Sequence, residues 1–389
     1  MQKKLNSNIW KYFLLILTNR RNYIPILAIY FLTLENTTAQ QIGLYVGIGW
    51  LVGFLLEIPS GYISDTWGHK KTLIFAKFSM LISTLFFIFG NSFPHFILGS
   101  SFIALGFAFT SGTAGALLHN TLVGLKREKE YGEIGGKIRA KASLVSAAMI
   151  LALPLLTKIS LTMPIKIYLI FDVIGILVAF SLYTPKMKYS AEDEEGEKIW
   201  SQLKRFRGTG FYITSLFIGL LGGLITGLSP FKELFTESLG FPIIFIGSIM
   251  ALSRVIWFIV GHNLKILKKI PIRKLLFYEI LIYSGLIMLA SQLKNPYIIG
   301  FIIATLIGYN YGRSPIFGDY YFENFLINKR YKATMISIKQ QIKKLCESGI
   351  ALSIGFVMAI SFSLGFLVVG ICGLVILLML YPFLIKHIK

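Results

Sequence analysis

Residues 57–73, EIPSGYISDTWGHKKTL, place Gly61, Asp65, Gly68, Lys70 and Lys71 in a short stretch directly after a long apolar run. An acid at the C-terminal end of a helix is disfavoured by the helix dipole. Asp65 therefore needs compensation, from cations such as Lys70 and Lys71 or from the N-terminus of a facing helix. Gly61 suits close approach of a neighbouring helix, and Gly68 suits a tight turn. A second group lies in LTNRRNYIP, where Arg20, Arg21, Asn22 and Tyr23 interrupt an apolar stretch. Pro25 follows, and its missing N–H deprives the Arg21 carbonyl of a helical partner, which predicts a kink. Further along stand His119 and Asn120, then Lys232 and Glu233, then Tyr309, Arg313 and Asp319. Arginine grips carboxylate or phosphate with two parallel hydrogen bonds, so this chemistry points to an anionic or zwitterionic ligand. Four acids within apolar stretches, Glu57, Asp172, Glu233 and Asp319, could carry a proton. Lys232 and Arg313 could instead pair structurally with Glu233 and Asp319.

The surrounding elements decide how such groups are held. The chain has 389 residues, 55% of them hydrophobic and only 15% charged, with mean hydropathy +0.69. Soluble domains average about 45–50% apolar and about 25% charged. A helix of about twenty apolar residues spans a bilayer. Twelve candidate spans start near Ile9, Gln41, Lys71, Pro94, Lys137, Met163, Gly210, Pro242, Ile272, Pro296, Ala333 and Leu364. The expected fold is an all-α polytopic membrane protein. No small-residue cleavage site follows the first apolar run, so no removed signal peptide is expected.

The net charge of +21 fits that reading rather than nucleic-acid binding. With both termini on the cytoplasmic side, the external connections hold only Lys158, Lys166 and Lys294 of the 39 basic residues. Basic residues collect in cytoplasmic loops. The longest polar connection, 186–208, carries Trp200, Leu203 and Phe206 amid Lys204, Arg205 and Arg207, which suits an amphipathic helix on the membrane face. It divides the chain into six-span halves, 1–185 and 209–389. The halves echo each other: IPSGYISDTWGHKKTL after span two is matched by IVGHNLKILKKIPIRKLL after span eight, with Gly61 opposite Gly261. Internal repeats of this kind build many transporter folds. Cys346 and Cys372 lack ligand spacing and suit packing. The five histidines are scattered with no ligand pair, so no catalytic site, metal or cofactor is expected.

The run from Gly61 to Lys71 resembles the signature loop between helices two and three of the major facilitator superfamily. Twelve spans, the 6+6 split, the central linker and the degenerate second copy extend the resemblance over the whole chain. Glu57-Ile58-Pro59 and the Arg330, Ala333, Thr334, Ser337 run resemble a bacterial branch with drug and metabolite exporters. The resemblance implies two pseudo-symmetric six-helix bundles, a cavity lined by spans one, four, seven and ten, and a cytoplasmic gate at Gly61, Asp65, Gly68, Lys70 and Lys71. It implies substrate contacts at Arg20, Arg21, Asn22, Tyr23, His119, Asn120, Lys232, Tyr309 and Arg313. The sequence departs from the pattern at Thr66 and His69, and Lys265 stands where the second copy would match Asp65. No arginine occurs near Ala108 in span four, where proton-coupled exporters often carry one.

The expectation is a monomeric secondary transporter of the cell membrane, not an enzyme. It would move a small anionic or zwitterionic solute by alternating access, with proton-coupled efflux as one mode. The alternatives on the same fold are an exporter of lipophilic cations and a lipid or glycolipid flippase.

Overall fold

The computed structural model describes residues 2–388 apart from 36, 38, 185–200, 202, 203, 205, 229, 230, 242–245, 327–330 and 359. Among the described residues every regular element is helical. In chain order these are α1 (Gln2–Thr18), α2 (Ile24–Phe31), α3 (Ala39–Trp67), α4 (His69–Phe89), α5 (Phe93–Gly124), α6 (Tyr131–Ala152) and α7 (Met163–Ser181). There follow α8 (Phe211–Thr226), α9 (Lys232–Ser238), α10 (Ile246–His262), α11 (Ile272–Gln292), α12 (Pro296–Gly312), α13 (Ser314–Asn324), α14 (Lys332–Met358) and α15 (Phe362–Ile385), with a single turn at Leu264–Leu267. Seven described helices are long and apolar enough to cross a bilayer on their own. Most of the linker 186–208, including Trp200 and Leu203, lies outside the described residues, as does Arg330.

Three of the twelve expected spans are not single helices. Span one is α1 and α2, separated by residues 19–23. The kink expected at Pro25 is a full break, in which the Arg21 carbonyl accepts from the Ile24 N–H at 3.3 Å as a turn. Asn19, Arg20, Arg21 and Asn22 carry polar side chains that seek partners other than lipid. Span seven is α8 and α9, which flank Ser229 and Pro230. Span ten is α12 and α13, which meet at Arg313. Pro315 opens α13 and has no N–H to continue the ladder. Interrupted helices are tolerated at membrane depth only where other groups satisfy the freed backbone.

The residues fall into two compact units. The first comprises Met1–Tyr131, Ala148–Gly196 and Asn328–Ile338; the second comprises Gly132–Ala147, Glu197–Ile327 and Lys339–Lys389. The start of α14 thus belongs with the first unit, and the start of α6 with the second. The first unit has an aromatic core of Tyr23, Phe31, Tyr45, Phe87, Phe96 and Tyr168. In the second, Phe241, Ile249 and Ala304 form one apolar cluster and Leu264, Leu275 and Ile316 another. Large apolar side chains also point outward, among them Trp50 at 72% and Phe89 at 75% exposure. In water such a surface would be an aggregation hazard; against lipid it is the ordinary outer face of a span.

Candidate functional site

In the first unit the break in span one delivers Arg21 to an acid. Arg21 Nη2 lies 2.5 Å from Asp172 Oδ1 of α7, with side chains 1% and 0% exposed. Thr84 Oγ1 of α4 donates to the other carboxylate oxygen at 2.6 Å. The guanidinium lies 5.5 Å from the Tyr168 ring, and the Tyr168 hydroxyl accepts from the Asn22 N–H at 3.0 Å. Arg21 Nε and Nη1 are buried without a hydrogen-bond partner. Tyr23 packs edge-on to Tyr168 with centroids 4.7 Å apart, so it belongs to the aromatic core. Arg20 is half-buried.

Lys77 of α4 completes this cluster. It is fully buried and donates to the Leu15 carbonyl at 3.1 Å and Thr18 Oγ1 at 2.8 Å. It also donates to Asn19 Oδ1, in the break itself. Arg21 is the cation paired with Asp172, and Lys77 lies within electrostatic reach of both. Lys77 was legible in sequence as a lone cation in an apolar span, but nothing local tied it to span one.

In the second unit Arg313 is paired, though not with the acid expected for it. Arg313 Nε lies 2.9 Å from Glu279 Oε1 of α11, with side chains 2% and 1% exposed. The same Nε donates to the Tyr283 hydroxyl at 2.9 Å, and Nη2 donates to Asn310 Oδ1 at 3.1 Å. The Phe317 ring lies 4.7 Å from the guanidinium carbon. Tyr309 donates its hydroxyl proton to Glu279 Oε1 at 3.0 Å. Glu279 sits in YEILIYS with no charged neighbour in sequence, and pairing across 34 residues of turn and helix escaped a local reading. Asp319 instead accepts from the Gly132 N–H at the start of α6 and from Lys268 Nζ. Steric room explains the short approach to Gly132: a Cβ there would stand 2.0 Å from Asp319 Oδ2.

Lys232 is buried at the start of α9 and is the charged member of a small cavity lined by Ile225, Leu228, Ile303, Leu306 and Phe366. The Glu233 side chain, expected to pair with Lys232, lies outside the described residues. Glu57 is buried in α3 and accepts from Ser111 Oγ of α5. His119 and Asn120 occupy the last turns of α5. His119 stacks obliquely near Tyr131 at 5.7 Å, and Asn120 Oδ1 accepts from Lys332 Nζ. Both therefore stand at the end of span four, beside the start of α14.

The signature loop occupies that same end of the first unit. Gly68 has φ +96°, a conformation that side chains resist. Asp65 Oδ1 accepts from the Ala333 N–H at 3.1 Å, and Oδ2 accepts from the Thr334 N–H at 2.7 Å and the Thr334 hydroxyl at 2.8 Å. Of the two compensations open to Asp65, the facing helix N-terminus supplies these contacts, where free N–H groups and the dipole favour an anion. Lys71 is exposed and Lys70 half-buried. Gly61 makes the approach feasible, since a Cβ there would meet Ser337 Oγ at 2.6 Å and the Ala333 carbonyl at 2.9 Å. In the second unit Lys265 lies 3.3 Å from Glu133 Oε1, so the repeat places a cation on an acid where the first copy places an acid on a helix start. Asp65→Asn should cost about 2 kcal/mol, the scale of hydrogen bonds to a charged acceptor. The melting temperature of purified protein would drop, whereas Lys70→Gln and Lys71→Gln would leave it unchanged. Equal effects at all three positions would mean that the lysines hold Asp65 instead.

An all-helical multi-pass membrane protein with helices interrupted at buried charges has the architecture of a solute transporter. Residues 12–338 match the family described as the Major Facilitator Superfamily, and the chain belongs to it. It is a secondary transporter and not an enzyme. An uncharacterized transporter of Buchnera aphidicola subsp. Schizaphis graminum (strain Sg) is 33% identical over 140 residues, which is 36% of this chain. The chain thus spans 35% of that relative's length. The E. coli fucose:proton symporter FucP is 16% identical, with TM-score 0.73 over 98% of this chain and 99% of that one. A bacterial homologue of the iron transporter ferroportin, in its outward-facing state, is also 16% identical, with TM-score 0.68 over 100% of this chain and 99% of that one. At these identities the likeness shows the fold alone.

Proposed function

We propose that this transporter moves a small anionic or zwitterionic solute across the cell membrane by alternating access, with Asp172 as the proton-coupling group and both termini cytoplasmic. The observation that carries the reading is the buried cluster at the break in span one, where Arg21 pairs with Asp172 and Lys77 holds Asn19. Ionisable side chains inside a membrane protein are costly and mark substrate or proton pathways. Two cations against one acid leave positive charge that the carboxylate does not balance, and an anionic solute is the partner that such an excess suits. In the second unit Arg313 and Glu279 offer a comparable pair. Asp65 and the start of α14 act as the cytoplasmic latch, with Gly61 and Gly68 allowing its geometry. Efflux is the direction that the resemblance to the exporter branch favours.

Reconstitution into liposomes containing a pH-sensitive dye tests this. Succinate, glycerol 3-phosphate, lactate and glutamate would be offered against an imposed pH gradient, beside the lipophilic cation tetraphenylphosphonium. The expected result is proton movement driven by an anion or zwitterion and lost in Asp172→Asn. Proton movement driven only by tetraphenylphosphonium, and unaltered in Arg21→Gln, would overturn the reading in favour of a lipophilic-cation exporter.

A further inference from the structure

We infer that the second unit holds a binding site for a small organic dianion, built from Arg254 of α10, Lys339 and Lys343 of α14 and an aromatic wall of Trp257, Tyr311 and Tyr321. None of these residues belongs to the Arg313–Glu279 pair. The inference rests on the anionic reading of the substrate and adds its charge and its place.

The wall comes first. Trp257 and Tyr311 stack with centroids 5.0 Å apart. Arg254 lies over the Trp257 ring at 5.2 Å, and Lys343 Nζ is 5.8 Å from the Tyr311 ring. One turn earlier on the same helix, Lys339 Nζ lies 4.4 Å from the Tyr321 ring. Tyr321 is fixed in turn by Ser215, hydroxyl to hydroxyl at 2.8 Å. Ring faces attract cations and hold them in place, yet they carry no net charge to neutralise them.

The charge balance comes next. Lys343 has an acid, Glu347, at 3.2 Å, and that carboxylate also accepts from Thr226 Oγ1 at 2.8 Å. Lys339 has none among the described residues: the charges acting on it there are Lys343, Arg139 and Arg313, all positive. Arg254 Nε is buried without a hydrogen-bond partner, and among the described residues no acid acts on that guanidinium either. Arg254, Lys339 and Lys343 against Glu347 leave two positive charges in excess (three minus one). Like charges held together in a half-buried place are costly unless an anion joins them. All three cations remain half-buried rather than sealed, so a ligand can reach them. Two carboxylates or one phosphate monoester supply the matching charge.

Full-length protein in detergent would be titrated with succinate and glycerol 3-phosphate, with acetate and glycerol as singly charged and neutral controls. Ligand bound to the folded state raises the melting temperature, and Trp257 fluorescence gives a second readout at the site. Both dianions, or one of them, should bind at least tenfold more tightly than acetate, with affinity falling as salt rises. Lys339→Gln and Arg254→Gln should each weaken that binding at least tenfold. Lys339→Gln should at the same time leave the ligand-free melting temperature unchanged or higher, because a repelling charge is removed; a purely structural lysine would lower it. Trp257→Phe should abolish the fluorescence change. Dianion binding that survives both charge variants would overturn the site while leaving the anionic reading intact. Acetate binding as tightly as the dianions would overturn the charge assignment. Stabilisation by tetraphenylphosphonium alone would overturn both the site and the anionic reading beneath it.

Discussion

Glu279→Leu should lower the melting temperature by about 10 °C, because removing one member of a fully buried ion pair costs about 3–5 kcal/mol. Arg313, 2% exposed in the wild type, would keep its charge with Tyr283 and Asn310 as its acceptors among the described residues. The surrounding rings of Phe317, Tyr283 and Tyr309 attract the guanidinium, but each ring contact supplies only about 0.5–2 kcal/mol. Desolvation therefore wins over the remaining contacts. Glu279→Gln should cost less, since an amide oxygen still accepts from Nε. The double variant Arg313→Met, Glu279→Leu should recover most of the loss, as apolar replacements of buried pairs commonly do. The difference between the double and the sum of the singles measures the coupling. If Glu279→Leu melts with the wild type, Arg313 has another acid and the pairing described here is wrong. Transport by the stable double variant separates roles: retained transport makes the pair structural, and lost transport makes it part of the solute path.

Asp172→Asn should be the comparable lesion in the first unit. It removes the acid paired with Arg21 and leaves Arg21 and Lys77 as two buried cations within electrostatic reach of each other. Thr84 would donate to an amide that accepts at one oxygen only. A loss of about 3–5 kcal/mol is expected from the uncompensated charge, with transport abolished. Lys77→Met in the Asp172→Asn background should restore part of the melting temperature, since it removes one of the two repelling cations. Lys77→Met alone should be destabilising or neutral, because Thr18 and the Leu15 carbonyl lose a donor. Rescue in the double variant is the signature of charge repulsion, which loss of packing would not produce. Wild-type stability and transport in Asp172→Asn would remove Asp172 from the proposed proton path.

These two sites show how far a sequence carries. Arg21 and Asp172 could each be singled out as a charge in an apolar stretch, because the cost of such a charge is local and independent of its partner. Their pairing, across 151 positions, is a property of how α7 lies against the break in span one. For Arg313 the nearest acid in sequence, Asp319, was the natural expectation. The six-residue spacing does not bring them together, because the chain breaks at Arg313 and α13 sends Asp319 to Gly132. Glu279 and Lys77 satisfied the same local rule as Arg313, and only the packing of their spans against the breaks gave them partners.

Membrane residence, twelve spans, the loop from Gly61 to Lys71 and the family were all determined by the sequence itself. Hydropathy over about twenty residues and the φ demands of a glycine turn are short-range properties. Only the tertiary structure decided where spans one, seven and ten break, which acid each buried arginine meets, and that the start of α14 faces Asp65. A buried charge takes whichever partner the packing brings within about 3 Å, and elements far apart in the chain set that distance.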